Sequence, residues 1–228
     1  MKPIHWIAAA ALAFGLGSAA SAQPRSIDQP GDVAHPTAGT HFPEQVGEFV
    51  RSDVMQYDEV GTDVSASYNL VRGGDRLLIS VYVYPAPTLR SAPGSERTAD
   101  VARANMCRQE MTSVGQVIEN HPQYSGARRL EDGVAPAMEG VGPGLNLRSV
   151  HSFTGPFSGR EQTVRSETDL YCFVGDRWLV KYRASSNAGF DASEAIETFI
   201  RNGPWPGRSP APSPDKTVMA TPQDSSPA

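Results

Sequence analysis

Residues 166–185 read SETDLYCFVGDRWLVKYRAS, and the reading of this stretch decides the fold. Gly175-Asp176 interrupts two runs of alternating residues, the pattern of an antiparallel hairpin. A two-residue turn pairs Phe173 with Trp178, Tyr171 with Val180 and Asp169 with Tyr182 on one face. Leu170, Cys172, Val174 and Leu179 line the other face. Both faces are therefore apolar, and a sheet of this kind needs a covering layer on each side.

Working outward, Val64, Ala66, Tyr68 and Leu70 alternate with polar residues, and Gly73-Gly74-Asp75 turns the chain into LLISVYVY. There Leu77, Ile79, Val81 and Val83 share one face of a second hairpin. Between the hairpins, Val101, Ala104, Cys107, Met111, Val114 and Ile118 recur at helical spacing. Ser95 is the expected N-cap, and Asn120-His121-Pro122 ends the helix because proline disfavours helical geometry in the residue before it. A last helix opens with Asp191 and Glu194 as a capping box, buries Ala192, Ile196, Phe199 and Ile200, and stops at Asn202-Gly203-Pro204. These elements predict an α+β fold, a three-layer α/β/α sandwich on a mainly antiparallel sheet.

The amino terminus reads as a secretory signal over residues 1–22. Lys2 is followed by the short apolar run Ile7 to Leu16 and by Ala20-Ser21-Ala22 before Gln23. The run is shorter than the roughly 20 residues a bilayer span takes, so no membrane span is expected after cleavage. The expected location is periplasmic or secreted. Residues 23–40 read as a flexible leader, 41–202 as the folded unit, and 203–228, with seven prolines, as a disordered tail. Cys107 and Cys172 are the two cysteines, and an oxidising compartment favours their pairing over two buried free thiols. Closing a loop of about 66 residues contributes about 4 kcal/mol in the chain-entropy model. Geometry agrees: Cys107 lies on the buried helical stripe, and Cys172 faces one of the covering layers.

Length, 228 residues, allows one domain with a sizeable core. The net charge of −5 argues against nucleic acid as a partner, since such binders need a basic footprint. The opening F42-P43-x-x-x-G47-x-F49, the strands Y68-N69-L70 and V81-Y82-V83-Y84, and the run W178 to A184 before Trp205-Pro206 resemble the PsbP-like α/β/α sandwiches. That group is named for an extrinsic photosystem II subunit. The resemblance covers about 160 residues, mostly as an order of elements. It implies a non-enzymatic accessory or binding module and carries over no site residues.

The chain lacks G-x-S-x-G, G-x-x-x-x-G-K and H-E-x-x-H, the short signatures of a serine elbow, a phosphate cradle and a zinc site. Gly140 to Gly144 reads as a turn. No cofactor and no metal site is expected, the cysteines being too far apart in sequence for a compact ligand set. Glu131-Asp132 reads as a solvated turn, and Glu167 and Asp169 read as surface charge beside Arg165. His35 and His41 fall in or at the end of the leader, and His121 at a helix end. His151 shares strand parity with Leu145, Leu147 and Phe153 and reads as a packed structural histidine. The leading functional expectation is a non-catalytic exported module that binds a partner protein or small ligand. Its expected site is Tyr82 and Tyr84 at one strand end with Lys181 and Arg183 alternating on another. The alternatives are a cofactor-independent hydrolase using His151 and a neighbouring carboxylate, or an envelope tether acting through the Pro-rich tail.

Overall fold

The computed structural model describes residues 23–89 and 96–208. The strands are β1 (Arg25–Ser26), β2 (Val33–Ala34), β3 (His41–Phe42), β4 (Gln45–Val46), β5 (Phe49–Gln56), β6 (Val64–Arg72) and β7 (Asp75–Pro85). Helix α1 (Glu96–Glu119) follows, then β8 (Ser125–Val134), β9 (Asn146–Phe157), β10 (Arg160–Val174), β11 (Trp178–Asn187) and helix α2 (Ser193–Asn202). One antiparallel sheet runs in the order β1-β5-β6-β7-β11-β10-β9-β8, with β4 also pairing β5, and β2 and β3 form a separate ribbon. The path is two meanders. The first ends at β7; α1 then carries the chain to the far edge, and β8 to β11 return so that β11 closes beside β7.

Each helix covers only part of its face. Helix α1 lies over β8, β9 and β10. Helix α2 lies on the opposite face, where the Phe199 ring meets Phe49 at 4.8 Å and Tyr68 at 5.0 Å. The expected three-layer α/β/α sandwich is therefore corrected to a β-rich fold with two helices among the described residues. Both sheet faces are apolar, as the hairpin reading requires, but helical layers are not the only cover. On the α2 side Val33, Ala38, Phe42 and Trp205, from irregular chain and the short ribbon, complete the core.

Residues 23–40, expected as a flexible leader, are built into this cover. Strand β1 pairs with β5, and His35 is buried with its ring edge-on to Trp178 at 5.1 Å. The first six residues of the expected tail also pack: Tyr182 donates its hydroxyl to the Pro204 carbonyl at 2.6 Å, and Trp205 Nε1 donates to the Ile200 carbonyl at 2.7 Å. Residues 1–22, 90–95 and 209–228, and with them the secretory signal, the Ser95 cap and most of the tail, lie outside the described residues.

Cys107 on α1 and Cys172 on β10 form a disulfide with Cα atoms 5.9 Å apart, within an apolar cluster shared with Met111, Leu170 and Leu179. The hairpin register is right at Tyr171–Val180 and Asp169–Tyr182 but wrong at Phe173. Val174 pairs with Trp178 instead, across a bulge, and Phe173 adopts φ 56°. The bulge turns the Phe173 side chain into the cluster beneath α1, because the extra residue shifts the alternation by one. On α1 itself Cys107, Met111 and Ile118 are buried as expected, whereas Val101 is exposed.

Candidate functional site

Antiparallel register brings opposed side chains to the same face about 5 Å apart. On the α1 side of the sheet this builds a polar row from Asp53 through Ser67, Ser80, Arg183, Thr168 and Ser149 to Asp132, one residue from each of seven strands. The neighbouring row carries Ser65, Tyr82 and Lys181 before turning apolar at Leu170 and Leu147. On β9 and β10 the polar residues of this face lie between an apolar cluster holding Leu147 and Leu170 at one end and one holding Phe153 and Val164 at the other. Helix α1 covers the β8–β10 half, and the half formed by β6, β7 and β11 is left beside it.

The four residues expected as a ligand site meet on that half. Lys181 stands directly opposite Tyr82, its Nζ 4.6 Å from the Tyr82 ring centre and 5.3 Å from that of Tyr84. Such distances place the ammonium against both π faces. Tyr84 donates its hydroxyl to Glu110 Oε1 of α1 at 2.6 Å, which ties the helix margin to the site. Arg183, two residues on, donates from Nε to Ser166 Oγ at 3.3 Å, and its guanidinium lies 5.9 Å from the Tyr124 ring. Tyr124 is held in turn by stacking on Phe153 at 3.9 Å.

Electrostatically the site is under-compensated. Among the described residues neither Lys181 nor Arg183 has a carboxylate at salt-bridge distance, whereas Arg72, Arg103, Arg129, Arg148 and Arg201 all do. Burial pulls the Lys181 ammonium below its ordinary range; Glu110 and Asp63 offset part of this, and Arg183 adds to it. Burial also pushes the Tyr82 and Tyr84 phenols upward, with the Glu110 hydrogen bond adding to the rise at Tyr84. Both phenols are thus neutral, and the charged groups around the site are Lys181 and Arg183 with the Glu110 and Asp63 carboxylates, neither of which is at salt-bridge distance from the cations.

His151 sits beneath α1, wholly buried, with Glu119 Oε1 3.4 Å from Nε2 and Arg129 beside it. Burial, and then Arg129, hold its pKa below the ordinary histidine value against the pull of Glu119. The helix passes above at Gly115, where an added Cβ would stand 2.6 Å from Arg129 Nη2 and 3.5 Å from His151 Nε2. The imidazole and its neighbouring carboxylate do come together, but under a helix rather than in a cleft.

A second cluster overturns an expectation. Glu167 and Asp169, expected as surface charge, are 5% and 1% exposed on the α2 side. Arg148 donates to both Asp169 oxygens at 2.7 and 3.0 Å and reaches Glu167 at 3.0 Å. Burial raises both carboxyls, and Asp169 raises Glu167 further, while Arg148 pulls both back. Glu167 also lines a cleft of about 240 Å3 with Arg165, Ser186 and Asp191. The parity of Asp169 with Tyr171 carried the signal that it is buried. Gly140 to Gly144 forms the expected turns, with Gly140 and Gly144 at positive φ. Among the described residues no cluster of three His, Cys, Asp or Glu has metal-binding geometry.

No family model matches the chain. No curated protein and no solved structure matches it.

Proposed function

We propose that the chain is an exported, non-catalytic module that binds a small anionic ligand on the sheet face framed by Tyr82, Tyr84, Lys181 and Arg183. The observation that carries this reading is the pair of half-buried cations, side by side on β11, with no carboxylate at salt-bridge distance among the described residues. Holding an ammonium and a guanidinium partly desolvated costs stability, and an anion that shares the site offsets the cost. The tyrosines supply flat, amphipathic surface for the rest of the ligand. Export is supported by the basic, apolar and small-x-small segments of residues 1–22 and by the Cys107–Cys172 bridge.

The reading is tested by native mass spectrometry of mature protein purified from its host's envelope without reductant. Wild type is compared with the Lys181→Met/Arg183→Met double variant. A small acidic mass retained by wild type and lost by the variant is the expected result. The same mass on both proteins would place the ligand elsewhere and contradict the assignment.

A further inference from the structure

The polar row that contains Arg183 does not stop at the margin of α1. Thr168 on β10 stands opposite Arg183, and Ser149 on β9 stands opposite Thr168. Both are at most 1% exposed, and neither hydroxyl has a hydrogen-bond partner among the described residues. Among the described residues Arg183 itself engages only Ser166 Oγ, through Nε, and the Tyr124 hydroxyl, through Nη2, which leaves several N–H groups unspent. Val and Ala would fill the two hydroxyl positions with similar shape and no unsatisfied polar atom. The sequence instead keeps two orphaned hydroxyls in line with a guanidinium that has no carboxylate of its own among the described residues. Helix α1 crosses them between two apolar anchors, Met111 in the cluster with Leu170 and Ile118 in the cluster with Phe153.

We propose that Arg183, Thr168 and Ser149 together bind the oxyanion head of the ligand, a carboxylate, phosphate or sulfate, beneath the margin of α1. This rests on the sheet-face reading above and adds the head-group chemistry and its position. A guanidinium fork with two hydroxyl donors matches oxygens that carry negative charge, since charge-assisted hydrogen bonds are the strong ones. The head enters from the Arg183 side, where the row emerges from under the helix, and Lys181 with the two tyrosines holds the remainder of the ligand on the open sheet.

The test is isothermal titration of the full chain with phosphate, sulfate and acetate in turn. The proteins are wild type, Thr168→Val, Thr168→Ser, Ser149→Ala and the Lys181→Met/Arg183→Met double variant. At least one of the three anions is expected to bind wild type. Thr168→Val and Ser149→Ala should each weaken it about tenfold, the worth of one hydrogen bond to a charged group. Thr168→Ser, which keeps the hydroxyl, should retain affinity, and the double variant should lose it. A merely structural hydroxyl would shift the melting temperature and leave affinity unchanged. Equal affinity in wild type, Thr168→Val and Ser149→Ala, with loss in the double variant, overturns the buried head while leaving the sheet-face reading intact. Absence of binding by wild type at millimolar concentration of all three anions overturns the oxyanion head, and the envelope-purified ligand then judges the sheet-face reading separately. Undiminished binding in every variant overturns both.

Discussion

At the scale of single residues, the two sites divide the chain's buried charge between structure and binding. Arg148 is fully engaged by Asp169 and Glu167, so its removal leaves the Asp169 carboxyl buried without its cation, while Glu167 keeps Arg165 at 3.7 Å. Arg148→Met is expected to lower unfolding free energy by about 3 kcal/mol, read by urea denaturation. Glu167 has a raised pKa in the folded state, so the native protein binds the extra proton and its stability falls as pH rises above the ordinary glutamate value. Glu167→Gln should therefore gain stability relative to wild type as pH rises above the ordinary glutamate value; a relative loss over that range would contradict the assignment. His151 has the opposite sign. Its folded pKa is lowered, so its contribution is present above about pH 6.5 and is lost as pH falls toward the folded value. His151→Gln should flatten that acid-side loss without weakening anion binding. Lys181, lowered by burial, should give up its proton earlier than a free lysine, so anion affinity should decline with rising pH before the ordinary lysine range is reached.

At the scale of elements, the strands and helices were largely legible and their cover was not. Period-two alternation placed both hairpins, and the apolar stripe with its terminal Asn120-His121-Pro122 placed α1. The error at Phe173 came from a bulge, which inserts a residue without any turn signal of its own. The cover was misjudged because apolar faces demand burial but do not specify by what. Val33, Ala38, Phe42 and Trp205 fulfil the demand from segments with no periodicity at all. The site was half legible. Alternation put Tyr82 with Tyr84 on one face of their strand and Lys181 with Arg183 on one face of theirs, but only the register of β11 against β7, β10 and β9 brings the four together and lines up Ser149, Thr168 and Arg183. Within α2, Phe199 is the keystone, touching Phe49, Tyr68 and Tyr182. Phe199→Ala is expected to cost about 3–5 kcal/mol by calorimetry or denaturation.

At the scale of the whole molecule, two half-covered faces explain why one sheet carries both a buried ion network and an open cationic surface. The helices lie over different strands of the sheet, so each face has a packed half and a half closed by loops or left open. The disulfide joins the middle of α1, at Cys107, to the carboxy-terminal end of β10, at Cys172. The boundary of the folded unit moves accordingly. Ending the chain at Asn202 removes Trp205 and the Pro204 carbonyl that Tyr182 bonds, and should lower the melting temperature more than ending it at Arg208. The central claim, that Lys181 and Arg183 hold an anion, is tested most directly by nuclear magnetic resonance of their side-chain N–H groups. These signals would be followed during titration with the ligand released from envelope-purified protein. The account predicts saturable shifts at Arg183 Nε and Lys181 Nζ, with Arg72 and Arg201, each already paired with a glutamate, unmoved. Shifts spread evenly over all arginines, or none at Lys181 and Arg183, would contradict it.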